Sequence, residues 1–180
     1  MKKFWQEVLL LPYESNSQDN PMHELQFEAL LKKYGYEYVY QPNGPQKAPD
    51  FRVTLPSGRV VDIECKSSNK NAYPTLNGGG GIFTPEQVNV FSSKKYGETT
   101  IYFCGDVVSK SKRELFAALI AELNEVLAKY QALPEWQNDD RGFNFYIRNM
   151  FTQSGGWRRT NYFKHKDRKL CEQKVLNFNW

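Results

Sequence analysis

The fold of this chain is constrained most by a short segment in which apolar and charged side chains alternate strictly. The apolar residues Val61, Ile63 and Cys65 alternate with the charged residues Asp62, Glu64 and Lys66. Because successive side chains of a strand point to opposite faces, a strand separates these two sets completely. Residues 59–66 therefore predict a strand with one face on a core and one charged face on a polar cleft or on water.

A second predicted strand precedes this one and forms a hairpin with it. Residues 51–55 have the composition of a strand, and the Pro-Ser-Gly sequence at 56–58 supplies the residues of a tight turn. Asp50 comes directly before the first strand of the pair. The hairpin therefore brings the Asp50 carboxylate towards the charged face that carries Glu64 and Lys66.

The remaining elements are helices interspersed with strands, which indicates an α/β fold with a central mixed sheet flanked by helices. The helix at 21–34 has Asn20 as its expected cap and Gly35 just past its end. A long helix at 112–130 repeats its apolar residues with a period near 3.6. The other predicted elements are an amphipathic segment at 3–11, strands at 36–40, 99–104 and 143–147, and a short helix at 84–91.

Length and composition fit one domain spanning residues 1–180, with a core at about 21–130. The 180 residues are 40% hydrophobic, enough to form a core without disulfide or metal support. No apolar run is long enough to cross a membrane, and the three cysteines show no CxxC pair. We therefore expect a cytoplasmic protein with reduced thiols and no membrane partner.

Positive charge is concentrated in an extension at residues 141–180. This segment carries nine Lys or Arg side chains against two acidic ones, although the whole chain has a net charge of only +4. A basic segment beside an acidic remainder is expected when one surface meets phosphates while carboxylates elsewhere hold a cation. A solvated basic tail is the alternative interpretation.

The acidic groups of the hairpin point to a divalent cation. Carboxylates held close together raise one another's pKa values unless a cation lies nearby. Mg²⁺ prefers oxygen ligands and keeps several waters, so one or two carboxylates, a backbone carbonyl and a substrate phosphate suffice. Lys66 beside such an ion could orient or activate a water and neutralise charge on the phosphate. We expect Mg²⁺ as the cofactor, with Mn²⁺ able to replace it.

The motif Pro49-Asp50 followed by Glu64-Cys65-Lys66 resembles the signature of the PD-(D/E)XK nuclease superfamily, and is most similar to that of type II restriction endonucleases. This resemblance implies a restriction-endonuclease-like core and a catalytic set of Asp50, Glu64, Lys66 and Glu28. It also implies that Asp50, Glu64 and the Cys65 carbonyl bind the metal. Glu28 enters because the segment Gln26 to Leu31 with Gly35 and Tyr36 is similar to the first-helix pattern of several branches of that superfamily.

The resemblance further implies Mg²⁺-dependent hydrolysis of double-stranded DNA by a homodimer that belongs to a restriction-modification system. Two regions would contact DNA, the polar loop after the catalytic strand and the basic extension. The loop candidates can reach base edges, and the extension candidates can reach phosphates. They are Asn69, Lys70, Asn71 and Tyr73 in the loop, and Arg158, Arg159, Lys164 and Lys166 in the extension.

Several alternatives remain open at this point. The chain could be a phage or DNA-repair nuclease that nicks DNA or resolves junctions, an RNA-directed nuclease, or a non-catalytic DNA-binding module. Asp62 could add a metal ligand but is as easily a surface ion pair, and Glu24 is expected on a solvated helix face. His23 and His165 lack sequence partners for metal or acid–base chemistry, so both are expected at the surface.

Overall fold

The computed structural model describes residues 1–17, 20–45, 47–69, 75–77, 81–138, 141–147, 150–152, 163 and 166–180. It shows an α/β fold in which a five-stranded mixed sheet is flanked by helices. In chain order the elements are α1 (Lys2–Val8), β1 (Asn16–Ser17), β2 (Asn20–Pro21), α2 (Met22–Lys33), β3 (Glu37–Tyr40), β4 (Phe51–Thr54), β5 (Val60–Ser68), β6 (Thr75–Asn77), β7 (Val88–Ser93), β8 (Glu98–Phe103), α3 (Cys104–Val107), α4 (Lys110–Gln131), α5 (Pro134–Gln137), β9 (Met150–Thr152) and α6 (Arg168–Leu176).

The strand with the alternating residues, β5, is the centre of the main sheet. The strand order is β3-β4-β5-β7-β8, and two small antiparallel sheets pair β1 with β2 and β6 with β9. Strands β3, β4 and β5 form an antiparallel meander that contains the predicted hairpin, with Phe51 opposite Ile63. Strand β7 runs parallel to β5, and β8 returns antiparallel to β7.

The apolar face of β5 covers the main core, as the alternation predicts. Its three apolar side chains are buried among those of β4, β7 and β8. Helices α1, α2 and α6 supply Trp5, Phe27 and Val175 to the same cluster, and each of these three side chains is fully buried. Helices α1 and α6 lie outside residues 21–130, so both ends of the chain contribute to the core.

The predicted helix at 21–34 is confirmed to within a residue. Helix α2 covers Met22–Lys33, with Pro21 rather than Asn20 at the N-cap position. Gly35 follows with a φ of +67°, the left-handed conformation that glycine adopts without a Cβ penalty. The long predicted helix is also confirmed, since α4 covers Lys110–Gln131 and is capped by the Ser109 hydroxyl, which accepts the Lys112 N–H.

The helix predicted at 84–91 is wrong. Residues 84–87 form only a turn, in which the Gln87 N–H donates to the Thr84 carbonyl, and β7 begins at Val88. All six residues of β7 are buried between β5 and β8. A strand buried on both faces shows no apolar alternation, so its sequence lacked the period that identifies a strand.

The strand predicted at 143–147 is also wrong. In the structure this segment has no regular secondary structure and pairs with no strand among the described residues, and its aromatic side chains Phe143, Phe145 and Tyr146 are exposed. An aromatic, β-branched composition favours a strand only where a neighbouring strand accepts it. Part of the predicted basic extension is instead helix α6, which packs against β8. Within the described ranges, no helix is long and apolar enough to cross a membrane.

Candidate active site

The structure brings Asp50, Glu64 and Lys66 together where the β4–β5 hairpin meets the loop before β4. The Lys66 Nζ lies 2.5 Å from Glu64 Oε1 and 4.0 Å from Asp50 Oδ2. The Glu64 side chain is only 5% exposed, against 14% for Asp50 and 27% for Lys66. The cluster is therefore largely withdrawn from water, and the lysine is its most accessible member.

The backbone explains why Asp50 reaches this cluster. The Asp50 carbonyl accepts the Gln41 N–H at 2.8 Å, which extends the β3–β4 ladder by one residue. Its side chain then turns to β5, where Oδ2 accepts the Cys65 N–H at 2.7 Å. Strand β4 begins opposite Ile63, so Asp50 takes the place of a strand partner for Cys65.

The Cys65 carbonyl, a metal ligand by resemblance, belongs to this same edge of β5. A strand residue directs its N–H and its C=O to the same side, because residues of a hydrogen-bonded pair exchange both. Since the Cys65 N–H points to Asp50, its carbonyl faces that side as well. The thiol points the other way into the core, where burial raises its pKa well above the ordinary value.

Electrostatics in the cluster oppose the ionised form of Asp50. Burial raises the pKa of its carboxyl to about 7; Lys66 opposes this rise, while Glu64 and Glu24 add to it. Burial disfavours the charged form of Lys66 too, but the neighbouring Glu64 and Asp50 carboxylates outweigh it and raise the pKa of the ammonium group. The site therefore holds a cation beside an Asp50 carboxyl whose ionised form is disfavoured.

Glu24, rather than Glu28, is the α2 carboxylate that the structure brings to this cluster. Glu24 is buried, accepts the Tyr40 hydroxyl at 2.6 Å, and contributes to the raised pKa of Asp50. Glu28 lies one turn further along the helix. It accepts a hydrogen bond from the Tyr38 hydroxyl at 2.5 Å and forms an ion pair with Lys32 at 3.0 Å. The expectation of a solvated face for Glu24 is thus wrong. Glu24 shares a helical stripe with the buried Phe27 and Leu31, a spacing that could have identified it.

His23 is also buried, contrary to the surface position expected from the sequence. Its Nε2 lies 3.4 Å from the Val90 carbonyl. Burial lowers the pKa of its imidazole to about 4, and the nearby Lys66 charge acts in the same direction. The ring is therefore neutral at neutral pH, and its Nδ1 has no hydrogen-bond partner among the described residues. No motif in the sequence could identify this position, because His23 is buried only through the way α2 packs on the sheet.

A row of buried polar residues continues from Glu64 across the sheet. Asn89 lies opposite Glu64 on β7, and Tyr102 lies opposite Asn89 on β8. Both residues are fully buried, and the Asn89 amide donates to the Cys104 sulfur at 2.8 Å. The sequence does not reveal this row, because the pattern of residues 84–91 favours a helix and so gives no register with β5.

Asp62 takes the ion-pair role that the sequence left open. Its two oxygens accept from Arg52 Nε at 2.8 Å and from Nη2 at 3.1 Å, a bidentate pair directly across the β4–β5 ladder. Arg59, which directly precedes β5, pairs with Glu86 at 2.7 Å. Asp62 therefore lies on the charged face of β5, but its carboxylate is already paired with the Arg52 guanidinium.

The donor set fits a hard divalent cation that retains much of its hydration. In the part of the chain that the structure describes, no group of three or more His, Cys, Asp or Glu side chains is arranged to hold a metal. Mg²⁺ does not require such a group, since one or two carboxylates with carbonyl and substrate oxygens suffice. Glu64 Oε2 is buried and has no hydrogen-bond partner among the described residues, so this oxygen retains its capacity to bind a cation.

The predicted DNA contacts can be placed only in part. Asn69 is exposed just past the end of β5, and its side-chain oxygen accepts the Tyr13 hydroxyl. Lys166 is exposed in the turn before α6, which packs at the β8 edge, three strands from β4 in the sheet order. The other six candidates lie outside the described residues: Lys70, Asn71, Tyr73, Arg158, Arg159 and Lys164.

Comparison of the chain with protein-family models found no match, and a search of curated proteins found none either. The function is therefore inferred from the site.

Proposed function

We propose that the chain is a Mg²⁺-dependent nuclease that hydrolyses phosphodiester bonds of DNA. The observation that carries this proposal is the convergence of Asp50 and Glu64 on Lys66, with the Cys65 carbonyl facing the same side. Two acids, one carbonyl and one ammonium group are the set that metal-assisted phosphoryl transfer requires. The order of α2, the β3–β4–β5 meander and parallel β7 further supports a restriction-endonuclease-like core.

Asp50, Glu64 and the Cys65 carbonyl would hold the cation. When bound there, the cation would supply Lewis-acid stabilisation of the negative charge on the scissile phosphate. Lys66 remains protonated because the adjacent carboxylates raise its pKa. As a hydrogen-bond donor and cation, Lys66 would orient the attacking water and neutralise the phosphate in the transition state.

The buried surroundings of the cluster increase the effect of these charges. Glu64 is nearly inaccessible to solvent, so its interaction with Lys66 is screened less than a surface pair would be. Neutral His23 adds no competing positive charge beside Lys66. Glu24 is a further acid close to Asp50, and its negative charge would strengthen the attraction of the site for a cation.

The finer proposal is a type II restriction endonuclease that cuts double-stranded DNA as a homodimer. Its support is the resemblance of the motif and the exposed Asn69, which follows the strand of Glu64 and Lys66 directly. A phage or repair nuclease uses the same chemistry, and the two are separated by the products they form.

The first experiment measures cleavage of plasmid and phage DNA with Mg²⁺, with Mn²⁺ and with EDTA. The test variants are Lys66→Met, which keeps the aliphatic stem, and Glu64→Gln. Asp62→Asn is the matched control, because Asp62 shares the strand and the face but pairs with Arg52. Removal of a group that acts on the transition state should lower cleavage by about 100-fold or more, while the control should retain most of its activity.

The products decide between the finer alternatives. Discrete bands would support a sequence-specific restriction enzyme, whereas nicked circles or a smear would support a repair or phage nuclease. RNA tested beside DNA under the same conditions identifies an RNA-directed enzyme. The chain would instead be a DNA-binding module if it binds DNA equally well with and without Mg²⁺ and neither the parent nor the Asp62→Asn protein cuts the DNA.

A further inference from the structure

Helix α4 presents a row of large apolar side chains to solvent. It has 22 residues, a length of about 33 Å, and none of them is buried. The row consists of Leu115, Leu119, Leu123, Val126 and Tyr130, which are between 42% and 65% exposed. Scattered apolar residues at a surface need no explanation, but a continuous row along about four turns of helix indicates a surface that binds a partner.

This row is not the side by which α4 attaches to the rest of the protein. Phe116 packs against the cluster of Ile82 and Cys104, and the Arg113 side chain donates to the Val108 carbonyl. At about 100° per residue, these anchoring positions lie roughly 60° to 120° around the helix from the row. The helix can therefore keep its contacts with the sheet domain while the row is covered by something else.

The spacing of the row identifies the kind of partner. From Leu119 the intervals are four, three and four residues, up to Tyr130 in the last turn of the helix. Alternation of three and four is the seam of a two-helix coiled coil, in which each side chain enters a hole on a facing helix. The expected occupant of the row is therefore another helix of similar length.

The residues beside the seam indicate that this other helix is α4 of a second copy, running in the opposite direction. Glu122 and Lys129 flank the seam on the side away from the sheet domain, and Ile120 and Leu127 flank it on the side towards it. An antiparallel pair places Glu122 against Lys129 of the partner subunit, and the two-fold axis repeats that ion pair. A parallel pair would place Glu122 against Leu127 of the partner subunit, which leaves a carboxylate facing an apolar side chain.

We propose that α4 pairs antiparallel with α4 of a second copy of this chain, with the two-fold axis near Asn124 and Glu125. Leu123 then packs against Val126 of the partner subunit, and Leu119 packs against Tyr130 of the partner subunit. The interface is isologous, as expected for a two-fold dimer. It uses residues remote from the Asp50 cluster, so it does not depend on nuclease activity.

A second exposed group extends this surface. Phe143, Phe145 and Tyr146 are exposed, and the Phe145 carbonyl lies 3.4 Å from the Gln131 side-chain amide at the end of α4. These aromatic side chains enlarge the apolar surface at that end of the helix. Stable interfaces bury about 1,200–2,000 Å² in total, so a larger apolar surface favours a stable dimer. Aromatic residues are also the type most enriched where binding energy is concentrated.

The first test is the mass of the whole chain in solution, measured by light scattering and sedimentation between about 1 and 100 µM. The proposal predicts a dimer of twice the 21.0 kDa chain mass. Leu123→Lys should weaken dimerisation on the order of 100-fold or more, since it places a charge in the seam twice per dimer. Ala121→Lys is the matched control on the far side of the helix, and should leave the dimer intact. Circular dichroism verifies that both variants fold.

The second test exchanges charges and reports the direction of the helices. Glu122→Lys and Lys129→Glu should each weaken the dimer roughly tenfold, because each creates two like-charged contacts. The double variant carrying both changes should restore it. A monomeric parent protein, or a dimer that survives Leu123→Lys, would overturn the proposed surface. Failure of the double variant to restore a dimer weakened by the single changes would overturn the antiparallel arrangement.

Discussion

Replacing Asp50 by asparagine is expected to stabilise the folded protein, and to do so mainly at neutral and alkaline pH. Burial raises the pKa of the Asp50 carboxyl from 3.8 to about 7, against the effect of Lys66 and with that of Glu64 and Glu24. An acid whose pKa is higher in the folded protein than in the unfolded chain costs stability as the pH rises between the two values. The cost is absent below about pH 4 and complete above about pH 7.

The size of the effect follows from the two pKa values. The difference between 3.8 and about 7 corresponds to about 4 kcal/mol at about 1.4 kcal/mol per pH unit. Asparagine keeps an oxygen that can accept the Cys65 N–H, so the backbone contact survives. The asparagine amide brings one more buried hydrogen-bond donor than a protonated carboxyl, which removes part of the gain. We therefore expect a net stabilisation of about 2 to 3 kcal/mol above pH 7, and much less at about pH 5.

Thermal unfolding followed by circular dichroism at about pH 5 and about pH 9 measures this difference, without metal and with excess Mg²⁺. The gain corresponds to a rise in Tm of about 4 to 12 °C at the higher pH. Asp62→Asn is the control, because its exposed pair with Arg52 is worth about 1 kcal/mol at most at either pH. An Asp50→Asn protein that is no more stable than the parent at the higher pH would refute the electrostatic argument, since the Asp50 carboxylate would then stabilise the fold.

Three further results are expected. Glu24→Gln should lower the pKa of Asp50, measured by carboxyl NMR titration, whereas Glu28→Gln should leave it unchanged; equal effects would contradict the assignment of Glu24 to the cluster. Mg²⁺ binding at about pH 6.5 should release part of a proton per site, because the Asp50 carboxyl must ionise to bind the cation. Calorimetry in buffers of different ionisation enthalpy measures this release. If no proton is released, the cation does not bind Asp50. Glu172→Gln should lower the free energy of unfolding by about 3 kcal/mol near neutral pH, because Glu172 is buried with partners that lower its pKa. This loss should shrink at low pH, where the Glu172 carboxyl of the parent protein becomes protonated. Denaturant titrations from about pH 3 to 7 measure it, and a loss that stays constant over that range would count against the argument.

The sequence was sufficient to predict the parts of the site that are close together along the chain. Asp50, Glu64 and Lys66 belong to one hairpin, so turn chemistry and strand alternation alone determine their separation. The same local signals correctly predicted helix α2 and helix α4. These elements depend on contacts within a few residues, and a period in the sequence reports such contacts directly.

Features that depend on contacts between distant segments were not accessible in this way. Burial of His23 depends on how α2 lies on β5 and β7, which a helical period does not specify. Strand β7 is a strand because β5 and β8 lie on either side of it, although residues 84–91 alone favour a helix. Segment 142–147 shows the converse, a strand-like composition that no described strand pairs with.

The pKa of Asp50 distinguishes its cluster from the ion-pair network around Glu172. Glu172 shows what a structural acid does in this protein: Arg168, Lys169 and Thr100 surround it, and they lower its pKa in spite of its burial. Asp50 is also buried, but one lysine and one N–H do not outweigh the loss of water and the nearby acids, and its pKa rises. A carboxyl that is kept where its ionised form costs stability is expected at a site that a cation completes, because the cation restores the missing positive charge.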